Sequence, residues 1–303
     1  MLLGVFGCAA PERLPPPIDY DPVEHSTESS TGGALAPKPD VAAVQPCNAV
    51  DLLFVIDNSG SMGDEQEQLV ASFPGFINGM RTRLKTAQDF HVGVVTSDAY
   101  YKNDAGCTAI GSLITKTGGP QSSNKACGPF DGGGRYLVQS DPMLLDRFAC
   151  AAQVGTGGSD DERMARGLLD AVGPATAKCN QGFLRPDSLL VVVLITDEDD
   201  VPDGCDTGGV CLSYGSGGDP DKWYDEFVRS RPQPENTVVL SLLGRRGDNP
   251  CGAVPASRLM RFTNKFGKNG FLGDICASSY SQFFEDALPL LDQACSIFTP
   301  PPA

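Results

Sequence analysis

The sequence predicts an α/β fold in which a mostly parallel sheet is flanked by helices and carries disulfide-stapled loop insertions. Continuous apolar runs of strand length alternate with segments of helical periodicity, as in sheets whose strands are buried on both faces. Such alternation gives parallel strands joined by right-handed crossover connections. Eleven cysteines are dispersed along the 303 residues, several of them in long polar segments that interrupt the alternation.

The predicted strands are short apolar runs, each followed by a helical pattern. The first strand is 51–57, DLLFVID, and a helix over 64–84 follows it, in which Pro74 should introduce a kink. Further buried strands are predicted at 90–96, 188–196 and 237–243. Further helices are predicted at about 141–153, 159–173, 221–230, 255–266 and 280–294. These elements predict one domain over 47–298, followed by a short tail at 299–303.

Three segments do not fit this alternation, at 99–140, 198–220 and 245–254. All three contain cysteines, and the two longer ones are rich in glycine. Loops this long within a compact domain are usually functional or stapled. The cysteines favour stapling here.

Composition excludes several classes of protein. Acidic residues outnumber basic ones 38 to 23, and the net charge of -15 argues against nucleic acid or an anionic membrane face as a partner. The cysteines form no CxxC pair and only two histidines are present, which disfavours zinc and iron-sulfur sites. Many dispersed cysteines are typical of an oxidising compartment, so we expect an exported protein.

The N-terminal residues resemble the end of a bacterial lipoprotein signal, because Val-Phe-Gly precedes Cys8. The resemblance implies that 1–8 is a partial signal and that Cys8 carries a lipid, which leaves ten cysteines for disulfides. Residues 9–46 are rich in Pro, Ser, Thr and Gly, a composition typical of a disordered tether. We therefore expect an outer-membrane or cell-surface protein that contacts the membrane only through a lipid on Cys8.

Oxygen-bearing side chains follow the first predicted strand. Asp57, Ser59 and Ser61 occupy alternating positions, so in an extended loop they share one face. Gly60 would allow a sharp turn. Ligands of open α/β sheets bind outside the carboxyl ends of the strands. Carboxylate and hydroxyl oxygens suit a hard cation such as Mg²⁺ or Ca²⁺.

Two later segments can reach the same edge of the predicted sheet. Asp197 follows the strongest apolar strand. Thr156 lies in the loop Gly-Thr-Gly-Gly-Ser, ahead of a helix on which Ser159 and Glu162 have the spacing of a capping box. We expect this loop to present Thr156 to the same crevice as Asp57.

These three elements, in this order, resemble the metal-ion-dependent adhesion site of von Willebrand factor A (VWA) domains. The resemblance covers about 47–297. The runs Gly182-Phe183-Leu184-Arg185 and Asp197-Glu198-Asp199-Asp200, before and after the later strand, further resemble envelope lipoproteins of the myxobacterial type. The resemblance to VWA domains implies a Rossmann-like, doubly wound sheet, the VWA fold, with Mg²⁺, Ca²⁺ or Mn²⁺ at its carboxyl edge.

The resemblance also implies a role for each predicted ligand. Ser59 and Ser61 would bind the cation directly, and Asp57 and Asp197 would bind it through waters. Thr156 would bind it directly or through a water. In the family the threonine precedes the helix cap by two residues, whereas here it precedes Ser159 by three, so Ser159 is an alternative third-loop ligand.

The function implied by the resemblance is cation-dependent binding of a protein. An Asp or Glu carboxylate of the partner would fill an open position on the cation. A structural envelope protein with a vestigial site is the alternative. A metal-dependent hydrolase or phosphotransferase is less expected, because the sequence has neither a G-x-S-x-G motif nor a Walker loop, and Ser59 stands where a phosphotransferase needs a second carboxylate. We expect no enzymatic activity.

Two other features have ordinary structural interpretations. The acidic residues Glu198, Asp199, Asp200 and Asp203 could hold a second Ca²⁺, but they lack the spacing of a calcium loop, so we interpret them as a solvated turn. His91 alternates with apolar residues in a strand, so we expect a buried structural histidine.

Five disulfides are expected among ten cysteines. The ends of VWA domains lie close together, so the resemblance implies a Cys47–Cys295 bond. The other expected bonds staple the insertions or bracket a helix. They are Cys107–Cys127, Cys205–Cys211, Cys150–Cys179 and Cys251–Cys276.

Overall fold

The computed structural model describes residues 46–87, 89–201, 215–231, 233–247 and 249–300. Within these ranges the strands are β1 (Ala49–Ile56), β2 (Asp89–Thr96), β3 (Leu137–Val138), β4 (Leu189–Ile195), β5 (Thr237–Leu243) and β6 (Gly270–Asp274). The helices are α1 (Gly63–Arg83), α2 (Leu144–Ala152), α3 (Met164–Val172), α4 (Pro220–Ser230), α5 (Ser257–Asn264) and α6 (Ser281–Ser296).

The strands form one six-stranded sheet in the order β3-β2-β1-β4-β5-β6. All neighbouring pairs are parallel except β3, which pairs antiparallel with β2 at one edge. The prediction of a mostly parallel sheet is therefore confirmed. Strand β1 lies between β2 and β4, and every residue of it is buried. The loop after β1 consequently leaves the middle of the sheet at its carboxyl edge.

Helices cover both faces of the sheet. On one face, Phe54 of β1 packs against Phe73 of α1 and Phe148 of α2, with ring centroids 5.8 and 4.9 Å away, and α6 completes this layer. On the other face, α3, α4 and α5 form a second core in which Trp223 lies 6.2 Å from Phe262. Full burial of each such aromatic side chain stabilises the fold by about 1.5–3 kcal/mol.

The four predicted strands are confirmed as β1, β2, β4 and β5, whereas β3 and β6 were not expected. Strand β3 has only two residues, and β6 is half-exposed and contains two glycines, so neither gives a strong apolar run. Helix α1 is continuous through Pro74. Helix α3 was expected from residue 159 but begins at Met164, because the polar residues before it belong to the loop at the sheet edge.

His91 is buried, as predicted. Its Nδ1 atom lies 2.9 Å from the carbonyl oxygen of Phe183 and 3.7 Å from a carboxylate oxygen of Asp51. The Asp51 carboxylate is itself held by Arg185, whose backbone N–H and Nε donate at 2.7 and 2.8 Å. This cluster lies toward the amino ends of the strands, at the edge opposite to Asp57.

Two of the expected disulfides are confirmed. Cys47–Cys295 joins the start of the sheet to the last helix, with 4.8 Å between the Cα atoms. The backbone N–H of Cys47 also donates to the carbonyl of Cys295 at 2.9 Å. Cys251–Cys276 ties the loop after β5 to the loop after β6, with a Cα separation of 5.3 Å.

Two expected disulfides, Cys107–Cys127 and Cys150–Cys179, are wrong. The bonds formed are Cys107–Cys179 and Cys127–Cys150, with Cα separations of 5.6 and 5.5 Å. The insertion after β2 is thus not closed on itself. Its first cysteine is joined to the segment after α3, and its second is joined to α2.

The path of the insertion explains this exchange. A Cβ atom on Gly111 would lie 2.6 Å from the backbone nitrogen of Ala171, so this part of the insertion runs against the end of α3. Farther along, the hydroxyl of Ser123 donates to the carbonyl of Cys150 in α2 at 2.9 Å. The insertion therefore connects the two helical layers across the sheet edge.

Several expectations fall on residues that the structure does not describe. They are the signal at 1–8 with the lipid on Cys8, the tether at 9–46 except for Pro46, the Cys205–Cys211 disulfide, and the last three residues of the tail. Within the described ranges, no helix is both long and apolar enough to cross a membrane.

Candidate metal centre

Asp57 is fixed between the carboxyl ends of two central strands. Its backbone N–H donates to the carbonyl of Ile195 at the end of β4, at 3.0 Å. One carboxylate oxygen accepts from the backbone N–H of Ser59 at 2.8 Å, and the other accepts from the hydroxyl of Thr196 at 2.7 Å. The side chain is fully buried. Burial raises the pKa of Asp57, although the hydrogen bond from Ser59 opposes that rise.

Two more predicted ligands lie at this edge with unsatisfied oxygens. The Oγ atom of Ser59 and one carboxylate oxygen of Asp197 are buried and have no hydrogen-bond partner. The two residues are only 3% and 7% exposed. Asp197 is also close enough to Asp57 for its charge to raise the pKa of that carboxyl. Burying an unpaired polar group is costly, so both oxygens fit a site for a cation.

The turn after Ser59 is not the sharp, glycine-dependent turn that the sequence predicts. Gly60 does not adopt a positive φ, and a Cβ atom there would contact nothing within 4 Å. The turn therefore does not require glycine. Ser61 lies on the solvent side of the same turn and is exposed, so its hydroxyl is open to a ligand and to water.

The third loop is held against the first by Gln66 of α1. Its side-chain amide donates to the carbonyls of Asp57 and Gly155 at 3.1 and 3.0 Å. The backbone N–H of Gly155 donates back to the same side chain at 2.9 Å. Gln66 is buried and was not singled out by the sequence, because an amide on a helix carries no motif. It is a positioning residue for both loops.

A second contact joins the two loops at Gly158. Its backbone N–H donates to the carbonyl of Asn58 at 2.8 Å. A Cβ atom at Gly158 would lie 2.4 Å from the side-chain nitrogen of Asn58 and 2.6 Å from its backbone oxygen. Only a glycine permits this approach.

The two candidate third-loop hydroxyls are both half-buried. Thr156 is anchored by its backbone N–H, which donates to the carbonyl of Pro120 at 2.9 Å. The hydroxyl of Ser159 accepts from the backbone N–H of Asp161 at 3.1 Å, and its own N–H donates to Asp98 at 2.9 Å. A role for either hydroxyl as a ligand stays a prediction.

The capping box expected between Ser159 and Glu162 is not formed. The N–H of Ser159 is taken by Asp98, and Glu162 instead turns inward, where it is fully buried beside Asp57 and Ser97. Burial, followed by the negative charge of Asp57, raises the pKa of Glu162 to about 10. The spacing predicts a helix cap at Glu162, and its inward position was not expected.

Two residues of the acidic run after Asp197, Asp199 and Asp200, do not lie in a solvated turn, and Asp203 lies outside the described residues. Asp199 accepts from the backbone N–H groups of Arg258 and Leu259 at 2.8 and 3.1 Å, so it caps α5. Asp200 is fully buried and accepts from the backbone N–H of Ala165, at 2.8 Å, at the start of α3. Both carboxylates therefore fix helix N-termini beside the site.

The possible metal ligands at the carboxyl edge of the sheet are hydroxyls and a few carboxylates. Across the described part of the chain, no group of three or more His, Cys, Asp or Glu side chains is arranged to hold a metal ion. A cation at this edge would therefore depend on the serine hydroxyls as well as on Asp57 and Asp197. Such oxygen donors fit Mg²⁺, Mn²⁺ or Ca²⁺ rather than a soft metal.

No family model and no curated protein matches the chain. Two solved structures of proximal thread matrix protein 1 from the mussel byssus are partly similar to it. The first, crystal form 2, has 13% identity and a TM-score of 0.41, and the second has 14% identity and a TM-score of 0.36. Each alignment covers 84% of this chain but only 50% and 48% of the mussel chains, so the chain spans about half their length. Similarity of this extent supports no inference about function.

Proposed function

We propose that the chain is an exported VWA domain of the cell envelope that binds a partner protein through a divalent cation. The predicted ligands are Asp57, Ser59, Ser61, Thr156 and Asp197. The observation that carries the proposal is the pair of buried, unpartnered oxygens on Ser59 and Asp197, beside the fixed carboxylate of Asp57.

The residues around the cation suit binding better than catalysis. When bound, the cation supplies a Lewis-acidic position that an Asp or Glu carboxylate of a partner can occupy. Asp57 is already held by two donors, which keeps its carboxylate fixed beside the site. His91, the histidine within the described ranges, lies toward the opposite edge of the sheet and is not placed to act as a base there.

Two further observations support the proposed location. Four disulfides are formed among the described residues, as is typical of an oxidising compartment. They use eight of the eleven cysteines, and Cys205 with Cys211 would use two more, which leaves Cys8 for a lipid.

The proposal is tested by capturing partners from the parent organism's envelope on the immobilised full-length chain. We expect proteins that are retained in Mg²⁺ and released by a chelator, and that Ser59→Ala does not retain. Partners that stay bound in chelator, and equally well to Ser59→Ala, would instead support a structural envelope protein with a vestigial site.

A further inference from the structure

A cavity of about 320 Å³ lies beside the candidate metal centre, between the insertion after β2 and the third loop. The insertion contributes Tyr100, Tyr101 and Lys102 to its wall, and the third loop contributes Gly158 and Ser159. The volume falls within the range of ligand pockets in proteins, about 300–1,000 Å³. The five predicted metal ligands do not line the cavity, although the alternative ligand Ser159 does. Cation binding therefore does not explain how this cavity is built.

The two walls of the cavity are fixed to each other by hydrogen bonds. The hydroxyl of Tyr100 donates to the carbonyl of Val154 at 2.6 Å and accepts from the backbone N–H of Gly118 at 3.1 Å. The backbone N–H of Thr156 donates across the same gap to the carbonyl of Pro120 at 2.9 Å. A pocket whose walls are already held together loses little conformational freedom when a ligand binds.

Asp98 supplies the cavity with a hydrogen-bond acceptor that the protein leaves unused. One carboxylate oxygen accepts from the backbone N–H of Ser159 at 2.9 Å. The other oxygen is buried without a hydrogen-bond partner among the described residues, and Asp98 as a whole is only 7% exposed. Leaving a buried carboxylate oxygen unpaired is costly. Because Asp98 lines the cavity, a ligand that donates a hydrogen bond there would satisfy it.

The exposed part of the cavity wall is formed by Tyr101 and Lys102. Tyr101 is 82% exposed, more than any other large hydrophobic side chain in the described ranges. A tyrosine ring offers an apolar face to a ligand, whereas its hydroxyl can remain in water. Lys102 is exposed as well, and its stem packs over Gly118, where an added Cβ atom would lie 3.4 Å from it. Its ammonium group provides three hydrogen-bond donors.

These side chains select the class of ligand that the cavity can take. A cation would be attracted by Asp98 but repelled by Lys102, and an anion would meet the reverse. A purely apolar group would leave the free oxygen of Asp98 unpaired. A neutral ring with several hydroxyl groups suits all three side chains, because each hydroxyl both donates and accepts and the C–H face of the ring can pack against Tyr101.

We propose that this cavity binds a neutral saccharide unit. Its hydroxyls donate to Asp98 and accept from Lys102, and its ring stacks on Tyr101. This site goes beyond the cation-dependent binding of a protein proposed above, and it needs no cation. A domain with both sites binds a polysaccharide as well as a protein partner.

The test is a saturation-transfer NMR titration of the full-length chain in chelator. The probes are the methyl glycosides of glucose, galactose and mannose, N-acetylglucosamine, and N-acetyl-argininamide as a basic competitor. We expect at least one sugar to bind saturably and the arginine derivative not to displace it. Asp98→Asn should weaken binding by about tenfold or more, because its amide oxygen keeps the bond to Ser159 while an N–H donor replaces the free acceptor. Tyr101→Ala should weaken it by about threefold to tenfold.

Two control variants separate this site from general effects and from the metal centre. Met143→Ala truncates another exposed apolar side chain, 49% exposed, just before α2, and should bind the sugar like wild type. Ser59→Ala is expected to lose cation binding but to keep its affinity for the sugar. Failure of the proposed function and failure of the saccharide site are therefore distinguishable.

Each outcome decides the proposal. Absence of saturable binding for every sugar, or wild-type affinity in Tyr101→Ala, would overturn it. Binding of N-acetyl-argininamide without any sugar would assign the cavity to a basic peptide and would also overturn it. If Asp98→Asn fails to fold, Tyr101→Ala decides alone, because that side chain lies largely in solvent.

Discussion

The hydroxyl of Ser59 is the least satisfied polar group of the first loop. It is buried, and no protein atom in the described ranges donates to it or accepts from it. An unpaired buried polar group costs about 1–3 kcal/mol. A bound cation would satisfy this oxygen, so its position is better explained by ligand binding than by stability of the free domain.

Ser59→Ala should therefore abolish the rise in melting temperature that Mg²⁺ gives the wild-type chain, because ligand binding to the folded state is what produces such a rise. Ser112→Ala is the matched control, since its hydroxyl is also buried and unpartnered. Thermal unfolding with and without Mg²⁺ measures both. A Mg²⁺-induced shift that survives in Ser59→Ala would contradict the assigned role.

Gly158→Ala should destabilise the domain by about 1–3 kcal/mol, the usual cost of forcing an added methyl into a packed site. The added Cβ would meet Asn58 at 2.4 Å and push the third loop away from the first. Urea unfolding measures the loss. Gly60→Ala on the first loop has open space around it and should unfold like wild type; equal stability of both variants would show that the loop contact is unimportant.

The sequence predicted Asp57, Ser59 and Asp197 at one edge because a simple rule places residues after parallel strands together. It did not predict that Glu162 turns inward. The helix begins only at Met164, and the N–H of Ser159 donates to Asp98, a contact between residues 61 positions apart. Local spacing favours a capping box there and carries no information about the competing acceptor.

Some strands can be identified from their own sequence, whereas other elements depend on residues that are distant in the chain. Strands β1 and β4 are continuous apolar runs buried on both faces, so burial alone identifies them. Strand β6 is only half-buried, and it depends on pairing with β5. Likewise, the start of α3 depends on Asp200, which arrives from the end of another strand to accept from Ala165.

Asp200 should make stability fall as pH rises from about 4 to about 6. Burial raises its pKa to about 6 in the folded state, whereas an unfolded aspartate titrates near about 3.9. Between these two pKa values the folded state binds more protons than the unfolded state. The free energy of unfolding therefore falls, by up to about 3 kcal/mol, as the pH rises. At pH values below the pKa of the unfolded aspartate, the stabilising contribution of Asp200 is fully present.

Chemical unfolding of wild type and Asp200→Asn in chelator, over that pH range, isolates this effect. The neutral asparagine does not titrate, so the difference in unfolding free energy between wild type and variant should decline as the pH rises. A constant or increasing difference would show that the donors around Asp200 outweigh its burial.

At the scale of the molecule, the four disulfides among the described residues divide into one closure and three staples. Cys47–Cys295 spans 248 residues and joins the two ends of the domain. It was predicted correctly because the ends of the expected fold meet. The bonds of Cys107 and Cys127 were predicted incorrectly because sequence spacing favours short loops, whereas the insertion after β2 runs between α3 and α2.

Removal of the closing disulfide should cost more stability than removal of a short staple. The chain-entropy model gives about 5 kcal/mol for a loop as long as that of Cys47–Cys295, and about 3 kcal/mol for one as short as that of Cys251–Cys276. Denaturant unfolding of the two double Cys→Ser variants compares them directly. A larger loss in the Cys251→Ser, Cys276→Ser variant would contradict the closure account.

The acidic composition of the chain affects how specific cation binding must be measured. With a net charge of -15, the protein attracts cations generally, so weak binding at many surface sites is expected. A specific site at the edge of the sheet differs from this background in stoichiometry and in its dependence on particular hydroxyls.

The most direct measurement is a calorimetric titration of the wild-type, full-length chain with Mg²⁺, Mn²⁺ and Ca²⁺ at a salt concentration that screens surface charge. We predict one saturable site for at least one of these ions, absent in Asp57→Ala. A titration that shows only weak, unsaturable binding of all three ions, or a site that Asp57→Ala retains unchanged, would contradict the account.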